Sequence, residues 1–528
     1  MAERRADVIV VGGGPAGSTV AWRLAREGAR VVLLERARFP REKVCGDYVE
    51  PRGLAILREM GCLAALEAHA PLPITHSSTY VEGVPRYRGA IPFYGGDERT
   101  PPHGYIIPRE RLDAVMLDAA AAAGATVHQD TGGSGVQVHR SGVEVEAGRN
   151  GRTVRYRASL VVGADGVNSA VATAAGILAD DERHIAVARR AYATGMDAEV
   201  GEAMFWFDRS LFPGYGWAFP MAGGRVNLGI GILAETRRRQ DVAIPALFDS
   251  FVQRLRGSGP PYERLELCSI PIGGIVKTYG GAGARHFTRG VLIGDAGSFV
   301  DPMTGEGITP AMESALLAAP ILLEALRDGA VGSQALAAYG ADARAYFDPS
   351  MRFLAACAAT LRNVHLAGPW LDALARGCEL AQADPGFARD AGGYFGGQDV
   401  RASRVLTAVA GAVLRDAVLA WPRAMSSVVG RSRPQGLTEL VAWQSAWARS
   451  LLHDPVWHLR WAMDVQRAWV GLLADGLASR GDPRAVGPEA WRAARAQSGT
   501  PEPALRVEGA GPSRGRAGQP PRAPASTP

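Results

Sequence analysis

The pattern of apolar and glycine-rich segments at the start of the chain predicts a strand, a helix and a second strand. An apolar run at residues 8–11 leads into Gly-Gly-Gly-Pro-Ala-Gly at 12–17, and a second apolar run at 31–34 ends at Glu35. Glycines at the first, third and sixth positions of this turn allow a pyrophosphate to approach a helix N-terminus. The acid that follows is placed to accept from a ribose 2′-hydroxyl. The pattern therefore predicts a dinucleotide-binding βαβ unit.

Later segments alternate between β-type and helical patterns. Residues 76–105 are rich in Pro, Gly and Tyr, which indicates strands and turns. A helix is predicted from Arg109, and a hairpin and a buried strand with a turn are predicted within 143–166. Residues 185–285 contain several strand-like runs, and after Asp295 the sequence is almost wholly helical to near residue 480.

These elements interleave, which indicates two intertwined domains of an α/β fold followed by a helical C-terminal region. A Rossmann-like nucleotide-binding domain alternates with a β-sheet substrate domain. The tail consists mainly of Pro, Gly, Arg, Ala and Ser and is expected to be disordered. The predicted boundaries are 1–75, 106–175 and 287–340 for the nucleotide-binding domain, 76–105 and 176–286 for the substrate domain, 341–495 for the helical region and 496–528 for the tail.

Length and composition exclude several classes of protein. The 528 residues are enough for two or three domains with a large core. Although 47% of the residues are apolar, no uninterrupted apolar run approaches membrane-spanning length, and we expect neither a transmembrane helix nor a signal peptide. Five widely spaced cysteines without a C-x-x-C pair argue against disulfides and against a metal site, and favour the cytoplasm. The net charge of +5 is small and does not indicate nucleic-acid binding.

A Gly-Asp pair late in the chain narrows the type of dinucleotide. Asp295 follows a short apolar strand at 291–293. Together with the βαβ unit, this resembles the p-hydroxybenzoate-hydroxylase-like superfamily of flavoproteins, and the resemblance implies that Asp295 holds the ribityl chain of FAD. Arg109 with Asp113 resembles the R-x-x-x-D helix start whose Arg lies against the FAD phosphates, and Asp165 lies in a turn that resembles the D-G motif. In isolation, the first would be an exposed helix start and the second an ordinary turn.

The resemblance extends to the segment 301–308, which leads into a helix. Its two glycines would let the backbone approach the flavin ring, and the helix N-terminus would face the pyrimidine end of that ring. The implied FAD-binding residues are Gly12, Gly14, Ala16, Gly17, Glu35, Arg36, Cys45, Gly46, Arg109, Asp165, Asp295, Gly305, Gly307 and Ile308.

A segment of the β-rich region resembles the signature of one subfamily. Tyr-Gly-Trp-Ala-Phe-Pro at 215–220, with Gly-Ile-Gly at 229–231, is similar to the Y-x-W-x-F-P and G-x-G motifs of the geranylgeranyl reductase family. The segment 43–47, Lys-Val-Cys-Gly-Asp, resembles bacterial members that saturate prenyl chains, including menaquinone tails. The resemblance covers roughly residues 5–340.

Two positions depart from the family pattern. Met221 stands where many members have lysine, and Asp47 stands where many have a second glycine. Flavin halogenases have W-x-W-x-I-P, whereas Tyr215 and Phe219 occupy the diagnostic positions here. The departures leave the exact substrate open.

Aromatic residues that alternate along a strand are usually core residues. Here the adjoining proline and glycines favour a wall for an apolar isoprenoid chain, with space cleared beside it. The implied substrate contacts are Tyr215, Trp217, Phe219, Pro220, Gly229 and Gly231.

Cys45 and Tyr215 are the two candidates for a catalytic proton donor. Addition of hydride to an isolated double bond must be coupled to protonation of the other carbon, which favours a dry pocket with both donors fixed. The resemblance places Cys45 near the flavin ring and the double bond. The alternative for this residue, a small buried hydrophobe, stays open.

The expected activity is that of an FAD-dependent reductase that saturates C=C bonds of a geranylgeranyl, prenyl-quinone or lipid chain. No second glycine fingerprint is present, so NAD(P)H would bind transiently, or a ferredoxin-type or membrane electron-donor protein would reduce the FAD. The alternative activity is that of an FAD-dependent monooxygenase of an aromatic or polyketide-like substrate. A non-catalytic interaction protein would need vestigial flavin motifs.

Seven of the eleven tryptophans lie near the C-terminal end of the chain, interspersed with arginines. Two interpretations stay open. The rings could lie at a headgroup boundary, with the protein peripheral on the inner face of the membrane, or they could pack against the catalytic core or a second subunit. The tryptophans are Trp421, Trp443, Trp447, Trp457, Trp461, Trp469 and Trp491.

Overall fold

The structure, a computed structural model, describes residues 4–91, 100–149, 152–177, 181–196, 201–395, 408–409, 411 and 435–478. The tail that we predict to be disordered, 496–528, lies outside the described residues, as do Trp421 and Trp491.

Nineteen strands occur in the described residues. They are β1 (Arg4–Val11), β2 (Val31–Leu34), β3 (Tyr48–Val49), β4 (Pro73–Ile74), β5 (His76–Val81), β6 (Val84–Ala90), β7 (Gly104–Ile106), β8 (Thr126–His128), β9 (Thr131–His139), β10 (Gly142–Arg149), β11 (Arg152–Gly163), β12 (Ile185–Thr194), β13 (Glu202–Phe207), β14 (Tyr215–Met221), β15 (Arg225–Leu233), β16 (Glu266–Leu267), β17 (Ile272–Lys277), β18 (His286–Phe287) and β19 (Gly290–Leu292).

The α-helices of the described residues include two long ones that follow the last strand. The helices are α1 (Pro15–Arg26), α2 (Pro51–Glu59), α3 (Leu63–Glu67), α4 (Arg109–Ala122), α5 (Ala170–Ala174), α6 (Ala234–Arg239), α7 (Ile244–Gly257), α8 (Ile308–Asp328), α9 (Ser333–Leu361), α10 (Ala367–Ala383), α11 (Pro385–Phe395), α12 (Gln435–His453) and α13 (Pro455–Ala478). Single 3₁₀ turns lie at Glu182–His184, Ala222–Gly224, Gly294–Gly297 and Val364–Leu366.

The first sheet is the predicted nucleotide-binding sheet. Its strand order is β18-β19-β11-β1-β2-β8, and the β9–β10 hairpin extends from β11. β1 runs parallel to both β2 and β11. Its residues are buried on both faces, Val8 and Val10 towards the helices and Ile9 and Val11 towards the hairpin side, which explains the continuous apolar run.

The second sheet has the order β16-β12-β15-β14-β13-β5-β6, with β17 paired to β12. Alternate residues of β13 and β14 face opposite sides, as strand geometry requires. Met204 and Trp206 pack with α7, whereas Phe205, Trp217 and Phe219 belong to a separate cluster on the other face. The first sheet thus uses early and late segments and the second uses the segments between them, which confirms the interleaved α/β fold. A small third sheet, β3-β7-β4, joins 48–49 to 104–106.

The helical C-terminal region is confirmed for the described residues. α8 is long and apolar enough to cross a membrane by length and composition, but 78% of its most apolar window is buried inside the protein. It packs against α1 on the nucleotide-binding sheet and serves as a core helix. α9 packs against α8 and carries α13.

Candidate active site

A cavity lies between the first two sheets, α8 and α9, and we call it the central cavity. It brings together segments that are distant in the sequence. Its lining includes Pro15, residues 43–48, Arg109, Phe205, Tyr215, Trp217, Phe219, Gly231, Asp295, residues 300–308 and, from α9, Met351, Leu354 and Leu361.

In the glycine turn at the start of α1, a side chain would have space at one glycine and would clash with backbone atoms at two others. A Cβ on Gly17 would lie 1.8 Å from the carbonyl oxygen of Gly12, and a Cβ on Gly12 would lie 2.3 Å from that of Ala164. Both glycines are therefore required for close backbone packing. The nearest atom to a Cβ on Gly14 would be Arg41 Nη2, at 3.8 Å, so open space lies in front of this residue. Ala16 packs against Gly294, where an added Cβ would approach its side chain to 3.0 Å.

Glu35 is held beside the glycine turn at the end of β2. Its carboxylate accepts from the backbone N–H of Gly13 at 2.7 Å and of Ala37 at 2.8 Å. The group is buried and fixed in orientation, as a ribose-binding carboxylate needs to be. Arg36, the next residue, is exposed.

Two arginines, of which Arg109 is buried and Arg41 is partly exposed, share one carboxylate next to the turn. Arg109 donates to both oxygens of Asp113, at 2.7 and 2.8 Å, and Arg41 Nη2 lies 2.9 Å from Asp113 Oδ2. Arg109 is buried, so the exposed helix start that its sequence alone allowed is wrong. Arg41 Nη1 is buried without a hydrogen-bond partner. Two guanidiniums against one carboxylate leave a positive charge beside the open Gly14 position, which fits a phosphate.

Sequence reasoning missed Arg41. The residue follows Pro40 in the loop after β2, and no motif marks it.

Asp165 lies next to the glycine turn, and its carboxylate accepts hydrogen bonds at the start of α5. It accepts from Ser169 Oγ at 2.5 Å and from the N–H of Ala170 at 2.7 Å, at the start of α5. A Cβ on Gly12 would lie 2.9 Å from the Cα of Asp165. The described contacts therefore make Asp165 a positioning residue for the turn.

The opposite end of the cavity is formed by the segment that leads into α8. Asp295 follows Gly294, which has a φ of +56°, and its carboxylate lies 3.7 Å from Lys43 Nζ. A Cβ on Gly307 would lie 3.7 Å from Asp295 Oδ1, and Gly305, with a φ of +69°, faces open space. α8 begins at Ile308, so the positive end of its dipole points into the cavity. These features fit the ribityl chain and flavin ring of FAD.

Replacement of Asp295 by alanine is expected to lower the affinity for FAD about 10- to 100-fold. The reason is the loss of a charged hydrogen-bond acceptor, worth ~1.5–3 kcal/mol. Fluorescence titration of the apoprotein with FAD measures the change, and Asp328→Ala, at the exposed end of α8, is the matched control. Equal affinity of Asp295→Ala and the wild type would contradict the role assigned to Asp295.

The aromatic wall, defined as Phe205, Tyr215, Trp217 and Phe219, forms one side of the cavity. Neighbouring ring centroids lie 5.3–6.2 Å apart. Gly229 lies under the Trp217 indole, where a Cβ would approach within 2.0 Å. Gly231 lies next to it at the cavity surface.

Some of the predicted substrate residues line the central cavity, and others do not. Tyr215, Trp217, Phe219 and Gly231 line the cavity, as the aromatic-wall interpretation requires. Pro220, which is buried in β14 opposite Val226, and Gly229, which lies against the Trp217 ring, are not part of the lining.

The loop that carries Cys45 is fixed by a polar network. Asn227 Nδ2 donates to the Cys45 carbonyl at 3.0 Å and to Asp47 Oδ2 at 2.9 Å, and Tyr192 OH donates to the same oxygen at 2.5 Å. Asn227 Oδ1 accepts from Trp217 Nε1 at 2.9 Å, so one amide ties the loop to the aromatic wall. The signal that sequence reasoning missed is a lone polar residue within the apolar strand 226–233. Asp47 has a φ of +62°, which explains why glycine is common here in the family pattern.

Burial controls the protonation of this loop. It raises the pKa of the Cys45 thiol, against the opposing charge of Arg109, so the group is a thiol and not a thiolate at neutral pH. Burial also raises the pKa of Asp47 to about 6, despite the hydrogen bond from Tyr192. Gly46 faces the wall, and a Cβ there would lie 3.0 Å from the Phe219 ring.

Tyr215, the second candidate proton donor, already uses its hydroxyl proton. The hydroxyl donates to the carbonyl oxygen of Thr304. Burial raises the pKa of the phenol well above its usual range. Both effects hold the proton on Tyr215, where the Thr304 carbonyl already accepts it.

A carboxylate cluster that the sequence did not predict lies at the floor of the cavity, and it consists of Glu50, Glu306 and Glu313 with Arg52. Arg52 lies 2.7 Å from Glu313 Oε1 and 3.4 Å from Glu50 Oε2. Burial raises the pKa of Glu50 to about 7 and that of Glu306 well above its usual range. One arginine faces three acids, so the raised pKa values favour retention of a proton in the cluster at neutral pH.

Comparisons with known proteins support an FAD-binding fold. Residues 5–207 match the family model described as FAD binding domain. The chain is 35% identical over 335 residues to menaquinone reductase of Mycolicibacterium smegmatis, covering 60% of this chain and 76% of that protein. It is 31% identical over 344 residues to digeranylgeranylglycerophospholipid reductase of Methanothrix thermoacetophila, covering 63% of this chain and 82% of that protein. A solved geranylgeranyl bacteriochlorophyll reductase-like protein of Thermoplasma acidophilum has a TM-score of 0.62 at 23% identity, over 71% of this chain and 92% of that one.

Proposed function

The chain belongs to the geranylgeranyl reductase family of FAD-dependent oxidoreductases, and from this we propose that it saturates C=C bonds of an isoprenoid chain carried by a quinone or another lipid. The observation that carries the proposal is the position of the aromatic wall. Three of its residues, Tyr215, Trp217 and Phe219, line the same cavity as the segment 305–308, where the flavin ring is expected. An alkene has no polar group to recognise, so an apolar slot beside the cofactor is the recognition element that it requires.

The FAD site fits the residues that surround it. Arg41 and Arg109 would hold the phosphates, Glu35 the adenosine ribose and Asp295 the ribityl chain. When bound and reduced, FAD would supply the hydride, which carries both electrons that saturation of one double bond requires. The protein would bind the chain along the wall, exclude water and hold the proton that the second carbon needs.

We assign that proton to Cys45. Its thiol lines the cavity and stays protonated, whereas the Tyr215 hydroxyl donates to Thr304. The carboxylate cluster can return a proton to the cavity, because Glu306 lies between the two glycines that approach the flavin position.

Replacement of Cys45 by alanine is expected to lower kcat for a prenyl substrate about 100-fold, as loss of a general acid does. Tyr215→Phe is expected to lower it less than about tenfold, since only a hydrogen bond to Thr304 is lost. FAD content and the rate of FAD reduction by dithionite would stay at the wild-type level in both variants. Wild-type kcat in Cys45→Ala, with a large loss in Tyr215→Phe, would reverse the assignment.

Two types of reductant are compatible with the site. NAD(P)H could bind transiently, or an electron-donor protein of the ferredoxin class could reduce the FAD. Anaerobic mixing with NADPH alone distinguishes these two reductants. The flavin absorbance is bleached without an added protein only if NAD(P)H reduces the FAD directly.

The function is tested by anaerobic incubation of the dithionite-reduced protein with prenyl-quinols, geranylgeranyl diphosphate and geranylgeranyl glycerolipids. The quinols are used because reduction of a quinone ring would itself add two hydrogens. Mass spectrometry should show a product that has gained two hydrogens per double bond reduced. The monooxygenase alternative predicts no product without oxygen, and gain of one oxygen atom when oxygen is admitted. That outcome would overturn the proposal.

A further inference from the structure

The helix pair α12–α13 exposes a run of apolar side chains on its outer face. Six of the eleven exposed large hydrophobic residues in the described part of the chain lie between 451 and 470, with exposed fractions from 43% for Met463 to 81% for Leu452. Exposed apolar residues that are scattered singly need no explanation, whereas a contiguous set marks an interaction surface. We call this set the apolar stripe: Leu451, Leu452, Val456, Leu459, Met463 and Val470.

The stripe keeps to one side of α13. Val456, Leu459, Met463 and Val470 follow one another at spacings of three, four and seven residues, which places them along a single face of a helix. Exposed Gln466 lies on the same side. The outer face is therefore apolar by its helical period.

The inner face of α13 is anchored by tryptophans. Trp457 Nε1 donates to Glu235 at 2.7 Å, Trp461 Nε1 to the Ala359 carbonyl at 3.0 Å and Trp469 Nε1 to Thr360 Oγ1 at 3.1 Å. These contacts fix the rotation of the helix, so the apolar stripe has to face outwards. The contacts also show that these three tryptophans pack against the protein and do not lie at a headgroup boundary.

The exposed charges around the apolar stripe are mainly positive. Two acids lie between residues 442 and 472. Asp464 is mostly buried and lies 3.0 Å from Arg362 and 2.8 Å from Arg183, whereas Asp454 is partly exposed and lies 2.9 Å from Arg239. Apart from Asp454, the exposed titratable residues of the same stretch are basic, and one of them, Arg467, lies 3.9 Å from Asp464. They are Arg449, His453, Arg460 and Arg467.

We propose that the outer face of α12–α13 docks on the surface of an anionic lipid bilayer, with the apolar stripe in the headgroup region and the basic residues on anionic headgroups. A face that combines protruding aliphatic side chains with predominantly positive exposed charge matches this partner. It does not match a second copy of the same face, because the like charges would then oppose each other.

The docked face would lie close to the central cavity. α9 is the intervening helix: Met351 and Leu354 line the cavity, while Phe353 packs edge-to-face on Trp469 at 5.6 Å. Packed helix axes lie about 8–10 Å apart, so the bilayer surface would be one helix away from the cavity wall. This inference concerns the surface alone and does not depend on the identity of the substrate.

Flotation of the full chain with its bound FAD tests the inference directly. The protein should float with vesicles of phosphatidylcholine and phosphatidylglycerol, and at least about tenfold less with phosphatidylcholine alone or in molar salt, where charge is screened. The double variant Leu459→Glu/Met463→Glu should bind anionic vesicles at least about tenfold more weakly than the wild type. The matched control, Ile270→Glu/Ile275→Glu, changes two exposed residues of the second sheet region and should float as the wild type does.

Circular dichroism and FAD content should be equal in the wild type and both double variants, which excludes unfolding as the cause. A wild type that does not float with anionic vesicles would overturn the inference. Equal flotation of Leu459→Glu/Met463→Glu and the wild type would also overturn it. A wild-type dimer that fails to float, and that this variant converts to monomer, would assign the face to a second copy instead.

Discussion

Replacement of Gly14 by valine is expected to leave a folded protein that contains less than about one tenth of the wild-type FAD, a loss of at least ~1.4 kcal/mol of binding free energy. Gly14 has an extended φ of −74° that valine adopts, and the nearest atom to a new Cβ is 3.8 Å away. The added side chain therefore occupies space that the apoprotein leaves open, and that space is where Arg41 and the turn would hold a phosphate. Absorbance of the purified protein gives the FAD content.

Two other glycines serve as controls. Gly17→Val places a Cβ 1.8 Å from the Gly12 carbonyl, so this variant should lose thermal stability as well as FAD. Gly148→Ala has no atom within 4 Å of its new Cβ and should behave as the wild type. Wild-type FAD content in Gly14→Val would show that the phosphates do not lie at this position.

Replacement of Arg52 by methionine is expected to lower the apparent free energy of unfolding by about 3–5 kcal/mol at pH 8. Methionine keeps much of the volume but removes the cation that compensates Glu313 and Glu50 at the cavity floor. Urea denaturation followed by circular dichroism measures the loss. Arg38→Met, which breaks an exposed pair with Asp130, is the control and should change stability by less than about 1 kcal/mol.

The pH dependence of the same measurement identifies the cause. Burial raises the pKa of Glu50 from 4.5 to about 7, so between these values the folded protein binds a proton that the unfolded chain has released. The stability from this group is complete below pH 4.5 and is lost as pH rises through 7. The destabilisation of Arg52→Met should therefore be smaller at pH 5 than at pH 8, because protonated acids no longer need the cation. A destabilisation that does not change with pH would point to lost packing instead.

The sequence predicted the parts of the site that depend on backbone geometry. Gly12 and Gly17 have to be glycine because a Cβ would meet backbone atoms, and such requirements leave a fixed spacing in the sequence. The period-two pattern of Tyr215, Trp217 and Phe219 likewise predicted that their side chains share one face of the second sheet.

The sequence did not predict contacts between side chains that are distant along the chain. The carboxylate cluster joins Glu50 to Glu313, and the network around Asn227 joins the second and first sheets. Neither pair has a characteristic spacing, since the fold alone brings the partners together. Composition could not orient the C-terminal tryptophans either, because the indole rings of Trp457 and Trp461 suit a protein core and a membrane interface equally well.

The central claim is that electrons pass from the reduced cofactor of this protein to an isoprenoid double bond. Anaerobic stopped-flow absorbance tests it most directly: the FAD-loaded protein is reduced with one equivalent of dithionite and mixed with a prenyl-quinol or geranylgeranyl lipid. The flavin absorbance should return without oxygen, with one double bond lost for each flavin reoxidised, and Cys45→Ala should slow the return about 100-fold. A flavin that stays reduced with every prenyl lipid until oxygen is admitted, and then yields an oxygenated product, would contradict the account.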